Sequence, residues 1–294
     1  MSPPEQKNKI SLLVQLLGDR DEFVRSRVAE ELLRAGEDAI PFLEIAARGE
    51  DLPARSQAEA IIGALRPQGL REKFRRLSAM ARENKLDLEE GILLIAEYGH
   101  PDVDTRDVRA TLDGFAQELR PRLDPRFSPR QTVETLTNYF FREKGFSGNE
   151  ADYFNPENSY FNRVLSRRTG IPITLSALCI VVARRLGLPV VGVGMPAHFI
   201  AKYESPREDI YFDPFNKGRV LTKADCADIV ARFGFKFEER LLNKTPHREI
   251  LLRILHNLIM IYNRNNKPER AKELTSYSNI LLNLPETWNY SKPV

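Results

Sequence analysis

Apolar residues along this chain change their spacing once, and the change divides it. Up to Gly145 hydrophobic positions recur three or four apart, the period of helices that bury one face. The pattern predicts helices over 10–17, 22–34, 39–47 and 54–65, and again in LREKFRRLSAMAREN, LEEGILLIAEYG, DVRATLDGFAQELRPRL and PRQTVETLTNYFFREKGF. Gly99, Pro101, Pro121, Pro125 and Pro129 punctuate them. A loop-rich stretch, FSGNEADYFNPENSY, follows, and then a short helix in ENSYFNRVLSRR that Gly170 is expected to end by adopting positive φ. Residues 175–186 are nearly apolar all round, which describes a helix enclosed by its domain, with Pro172 in its first turn. Past Gly187 the period drops to two: VVGVG, HFIAKY and IYF read as strands, with ESPRED joining the last two. Helical spacing returns in LTKADCADIVARFG, with Thr222 as N-cap, and in a closing pair over 248–262 and 268–284.

This order of elements is an α+β chain, mostly helical, with one small antiparallel sheet. Four segments are expected: a helical 1–68, a helical 69–145 packing on the core, the core at 146–240, and a helical hairpin at 241–294. At 294 residues and 42% hydrophobic content, two modest domains with packed cores are affordable. With 44 basic against 41 acidic residues, the net charge of +3 excludes a global nucleic-acid footprint. One run, 158–203, has no Asp or Glu yet holds Arg163, Arg167, Arg168, Arg184, Arg185 and Lys202. Helix ends account for most of these cations, and a protein or peptide partner of acidic character is the class they would suit. Neither nucleic acid nor membrane is expected as a partner. No apolar stretch has signal-peptide or membrane-spanning length, so a cytoplasmic location is the expectation, with Cys179 and Cys226 as free thiols.

Chemistry concentrates in the period-two region. Were the strands paired with His198 opposite Asp213, both would lie on one face with Cβ atoms about 5 Å apart, close enough for the carboxylate to fix the imidazole tautomer. A thiol enzyme built this way needs a cysteine at the start of the buried helix, where the positive helix end lowers its pKa. That start reads Gly170-Ile-Pro-Ile-Thr-Leu-Ser. Thr174 and Ser176 are the nearest hydroxyls and Cys179 the nearest thiol, two turns in on an apolar segment; all three are weak nucleophile candidates. His100, His247 and His256 stand at no ligand spacing, and no CxxC, GxGxxG or GxxxxGK occurs. Neither metal nor cofactor is expected.

The run GFSGNEADYFNPENSYFNRVLSRRTGIPITLSALCIVVARRLGLPVVGVGMPAHFIAKY, followed by IYFDPFNKG, resembles the bacterial SirB-one family of transglutaminase-like proteins. The resemblance implies a papain/transglutaminase-like core in which the cysteine is typically not retained. It puts His198 and Asp213 on the family's histidine and aspartate, and Asn158 and Tyr160 beside the same cleft as peptide-binding groups. Where the family carries glycine before the histidine, this chain has Ala197. In the transglutaminase-like pattern the nucleophile falls about fifteen residues before the Gly187 turn, at Pro172, which has none to offer.

Outside that core, residues 12–17 match 42–47 and 24–26 match 54–56, a repeat at an offset of 30 that resembles a pair of short HEAT-like units. Leu258, Tyr262 and Ala271 resemble the spacing of a single tetratricopeptide repeat. The function expected is a non-catalytic, cytoplasmic protein or peptide interaction module, a pseudoenzyme flanked by docking helices. The alternative is an amide-bond hydrolase or acyltransferase that uses the His198/Asp213 dyad with an atypical nucleophile.

Overall fold

The computed structural model describes residues 3–82 and 86–285. The ends of two expected segments, the LREKFRRLSAMAREN helix and the 241–294 hairpin, lie partly outside the described residues. The chain divides into two compact units, Met1–Lys73 and Phe74–Val294.

In the first unit the helices are α1 (Pro3–Gln15), α2 (Glu22–Ala35), α3 (Ile40–Ala47) and α4 (Leu52–Arg82). Residues an offset of 30 apart do equivalent work: Val28 and Ala58, and likewise Leu32 and Ile62, are buried in one cluster with Ile10, Leu17 and Leu43. The expected break before Pro67 is absent, and α4 runs through it. Proline removes the bond to the carbonyl four residues back, here that of Gly63, which is exposed and left to solvent.

The second unit opens with α5 (Leu88–Gly99), α6 (Thr105–Leu119) and α7 (Pro129–Thr137). Strand β1 (Ser147–Gly148), α8 (Phe161–Arg167) and β2 (Thr169–Gly170) follow, the two short strands pairing in parallel. The residue that turns the chain after α8 is Arg168, at φ +55°, and not Gly170 as expected. Gly170 has another use: a Cβ there would stand 2.7 Å from Thr174 Oγ1.

Helix α9 (Pro172–Arg185) is buried from Pro172 to Ala183 and packs against α5, α6 and α8 as well as the sheet. Helices on several sides explain why its sequence up to Ala183 is apolar on nearly every face. Its last residue is held by a half-buried ion network: Arg185 reaches Glu89 at 2.6 and 2.9 Å and the exposed Asp113 at 2.6 Å.

The sheet is an antiparallel meander of β3 (Val190–Met195), β4 (His198–Tyr203), β5 (Ile210–Asp213) and β6 (Arg219–Leu221). Val193, Met195, Ile200, Tyr211 and Leu221 form a cluster with Cys226 and Val230 of α10 (Lys223–Arg232). Thr222 caps α10 in a reciprocal box with Asp225. The hairpin of α11 (His247–Arg264) and α12 (Pro268–Leu282) completes the unit, α11 lying on α5 and α9. This architecture is the expected α+β, mostly helical fold with a small antiparallel sheet. Among the described residues no helix is long and apolar enough to cross a membrane.

Candidate functional site

Strands β3 and β4 are joined by Pro196 and Ala197 alone, with Met195 paired to His198. Proline fixes φ at the first turn position, and Ala197 takes φ +57° at the second, the left-handed value a type II turn requires. His198 therefore begins β4 directly from a tight corner.

The register of β4 with β5 differs from the expected one by two residues. Ala201 faces Phe212 and Tyr203 faces Ile210, which sets His198 diagonal to Asp213. The cause lies in the connecting loop, where Asp209 accepts from Lys202 Nζ at 3.1 Å and from the Ser205 N–H, keeping six residues out of the ladder. A shift of two preserves the side-chain face, and a diagonal pair is within reach of a long side chain. His198 Nε2 and Asp213 Oδ2 are 2.7 Å apart.

The turn after β5 completes the grip on the carboxylate. Asn216 Nδ2 donates to Oδ2 at 2.7 Å, while the Phe215 and Asn216 N–H groups donate to Oδ1 at 3.0 and 3.2 Å. Burial pushes the Asp213 carboxyl upward, but the His198 ring and the Asn216 bonds outweigh it and hold the group below its ordinary range. Gly218 closes the turn at φ +73°, where a Cβ would strike Phe141 and Thr137. With Nε2 donating to a carboxylate, Nδ1 is the free acceptor of the ring, and among the described residues nothing hydrogen-bonds it. The His198 side chain is 11% exposed and that of Asp213 2%. Such a ring is oriented to accept a hydrogen bond at Nδ1.

None of the three nucleophile candidates makes a hydrogen bond to that ring. Thr174 Oγ1 accepts from the Ile171 N–H at 3.1 Å and lies 2.8 Å from the Asn158 carbonyl, so its hydroxyl serves the start of α9. Ser176 is fully buried and its hydroxyl has no partner among the described residues. Cys179 is enclosed by apolar neighbours that push its thiol well above the usual range, the reverse of a reactive cysteine; burial likewise pushes Cys226 up to about 12.

Asn158 and Tyr160, expected to face a peptide, are turned inward. The Asn158 side chain donates to the Asp152 and Tyr153 carbonyls and accepts from Asn149 Nδ2, which fixes the loop before α8. Tyr160 is buried with its hydroxyl 2.5 Å from that of Tyr262, where Arg270 also donates. Both residues have found partners inside the chain, so neither presents a polar atom to a ligand in this arrangement.

The arginine run is also redistributed by folding. Arg163 pairs with Glu157, Arg184 with Asp87, Arg185 with Glu89 and Asp113, and Lys202 with Glu204 and Asp209. Sequence proximity made a basic patch that the fold largely neutralises. Two groups that sequence reasoning missed stand at the site instead. One is Asn216, signalled by its spacing of three from Asp213, which is the spacing of a side-chain-capped turn. The other is Arg253 of α11, whose Nη2 donates to the His198 carbonyl at 2.9 Å. Nothing local announces a residue 55 positions away.

A cleft of about 160 Å³ opens at the turn, lined by Ser147, Gly148, Glu150, Phe215, Asn216 and Lys217. Two of the residues that hold the Asp213 carboxylate thus form its wall. Among the described residues no cluster of His, Cys, Asp or Glu has the makings of a metal site.

The family model described as transglutaminase-like superfamily matches residues 106–256, which contain His198, Asp213, Asn216 and Arg253. A protein of Xylella fastidiosa (strain 9a5c) named UPF0162 protein is 35% identical over 199 residues, covering 66% of this chain and 71% of that protein. One of the same name from Pseudomonas aeruginosa is 29% identical over 66% of this chain and 72% of its own length. F-box only protein 21 of Mus musculus is 29% identical over 60% of this chain but only 32% of its own length, so there the similar region sits within a much longer protein. No solved structure matches the chain.

Proposed function

The chain belongs to the transglutaminase-like superfamily and to the UPF0162 family, and from that premise we propose that it is a non-catalytic, cytoplasmic member that binds a peptide segment of a protein partner beside His198. A single observation carries this reading: the start of α9 supplies no nucleophile to a base that is otherwise fully assembled. Pro172 occupies the expected position, Thr174 is committed to the helix start, and Ser176 and Cys179 are buried away from any bond to the ring. Acyl transfer by covalent catalysis needs an activated nucleophile within hydrogen-bond reach of its base.

In this reading the His198–Asp213–Asn216 constellation is kept for shape. A buried, fully bonded carboxylate braces the β4–β5 corner and holds the Ala197 turn in place, which fixes the wall of a binding site. The finer kinship is with the SirB-one group, the helices of 1–68 serving as HEAT-like docking units and the 241–294 hairpin as a tetratricopeptide-like one. Occurrence of the same core inside a longer protein named for an F-box accords with a module that works joined to others.

The intact base favours a second reading, amide-bond hydrolysis or acyl transfer with an atypical nucleophile. One experiment separates the two. The purified chain and its His198→Ala variant are treated with a peptidyl chloromethyl ketone and a fluorophosphonate, and intact masses are compared. No stoichiometric adduct is expected on either protein; an adduct on the native chain that disappears in His198→Ala would establish the enzyme reading.

A further inference from the structure

Arg253 is the cation of this unit whose surroundings are least explained by the fold. It stands on α11, half-buried, against the Phe199 ring with its guanidinium carbon 5.5 Å from the centroid. Room for it exists because residue 194 is glycine: a Cβ there would lie 3.3 Å from Nη1. A guanidinium carries five N–H donors. The bond to the His198 carbonyl is the one made by Arg253, and among the described residues no carboxylate pairs with it. By contrast the more exposed Arg163 and Arg184, and the half-buried Arg185, each have a carboxylate within 3 Å. Holding a charge partly out of water without a counter-ion is unfavourable, and burial accordingly depresses the ionisation of this guanidinium.

The ground beside it is aromatic. The His198 ring meets Phe215 edge-on at 6.4 Å, Phe215 meets Tyr153 at 5.9 Å, and Tyr153 meets Phe154 at 5.4 Å. Tyr153 and Phe154 are 37% and 50% exposed, and Arg264 lies over the Phe154 ring at 4.4 Å. No carboxylate pairs with Arg264 among the described residues either. The strip is thus a floor of rings meeting edge to face, with the Arg253 guanidinium, bonded to the backbone of His198, near one end and that of Arg264, over Phe154, at the other.

We propose that this strip is the peptide subsite of the molecule, and that Arg253 takes the side-chain carboxylate of an Asp or Glu flanked by aromatic or apolar residues. The inference rests on the peptide-binding reading above and names the chemistry of what is bound. The unused N–H groups of Arg253 give the forked geometry a carboxylate matches with two bonds, and the floor provides stacking area for its neighbours. Arg264 adds long-range attraction.

The test uses the full chain and an end-blocked, fluorescently labelled pentapeptide with a central glutamate between phenylalanines, alongside its glutamine counterpart, read by anisotropy. Native protein is expected to bind the glutamate probe at least tenfold more tightly than the glutamine one. Arg253→Gln should erase that preference, Arg253→Lys restore part of it, and Arg264→Gln weaken the glutamate probe a few-fold, while Arg232→Gln, an exposed control in α10, changes nothing. Equal affinity of native protein for the two probes overturns the proposal, even if Arg253→Gln proves too unstable to assay. So does binding that appears only when the glutamine peptide is given a free C-terminal carboxylate. Mass analysis of the probe after incubation keeps the two readings apart: cleavage sinks the non-catalytic reading and leaves the charge preference standing, whereas an intact probe bound without charge preference sinks this one alone.

Discussion

The two halves of a would-be thiol active site, the β4–β5 corner and the start of α9, have been treated oppositely by this sequence. At the corner the side-chain and turn donors are directed to one carboxylate. Four donors converge on the Asp213 carboxylate, and the imidazole is left with Nδ1 free. At the helix start, polar groups serve the helix itself or lie buried without a partner. On the non-catalytic reading proposed above, a costly buried carboxylate beside a helix start that bonds no nucleophile to the ring is held for its geometry. A carboxylate in such a place stabilises only while its donors remain.

That contrast is broken most severely by Asp213→Ala. The substitution strands the Asn216 amide, two turn N–H groups and the His198 ring together, and a loss of about 3–5 kcal/mol in urea unfolding is expected, with peptide binding abolished. A loss under about 1 kcal/mol would mean that the corner is not the brace described. On the other half, Thr174→Val removes the hydroxyl that accepts from the Ile171 N–H and bonds the Asn158 carbonyl, at a cost of about 1–2 kcal/mol. Peptide binding should survive it, because the effect belongs to helix initiation.

Acid sharpens the same comparison. The Asp213 carboxyl is held below its ordinary value of 3.8, so its contribution is complete above that value and is lost as pH falls through the folded-state one. Native chain is therefore expected to lose stability more steeply below about pH 4 than Asp213→Asn, which has no proton to take up there. Parallel unfolding curves at pH 7 and pH 3 read the difference. Identical slopes for the two proteins would show that the carboxylate is not specially stabilised.

How much of this was legible follows from how local each cause is. Alternation in HFIAKY and IYF put His198 and Asp213 on one face, and the uniformly apolar 175–183 identified the enclosed helix, because both signals are periodicities of the chain itself. The register was misjudged by two because Asp209 closes the intervening loop through Lys202 and Ser205, contacts that no period encodes. Strand β6 escaped because three residues carry no alternation to read. Asn158 and Tyr160 looked available only until their partners at Asn149 and Tyr262 came in from other segments. The basic run was in part an artefact of adjacency: the counter-ions of Arg184 and Arg185, namely Asp87, Glu89 and Asp113, lie some 70 to 100 residues earlier, while those of Arg163 and Lys202 stand just outside the run. Arg253, whose hydrogen bond goes to the backbone of a strand 55 residues earlier, was for the same reason invisible.

The smallest effect concerns the corner's own strain. Ala197 adopts φ +57°, where an L-residue with a Cβ is disfavoured by roughly 1–2 kcal/mol relative to its usual conformations, and it is exposed, so its methyl has little burial to offset that. Ala197→Gly removes the strain but gives the unfolded chain more freedom, worth about 0.4–1 kcal/mol in the other direction. The balance is a gain of about 0.5 kcal/mol, or a rise of about 1–2 °C in Tm. If the corner exists only to brace the fold, the glycine variant should be more stable and bind peptide as well as the native chain. If the strained turn also aims His198 and its carbonyl toward Arg253, the relaxed backbone should lower the affinity for the glutamate probe while stability rises. Opposite movement of the two readouts would show that the strain is retained for binding.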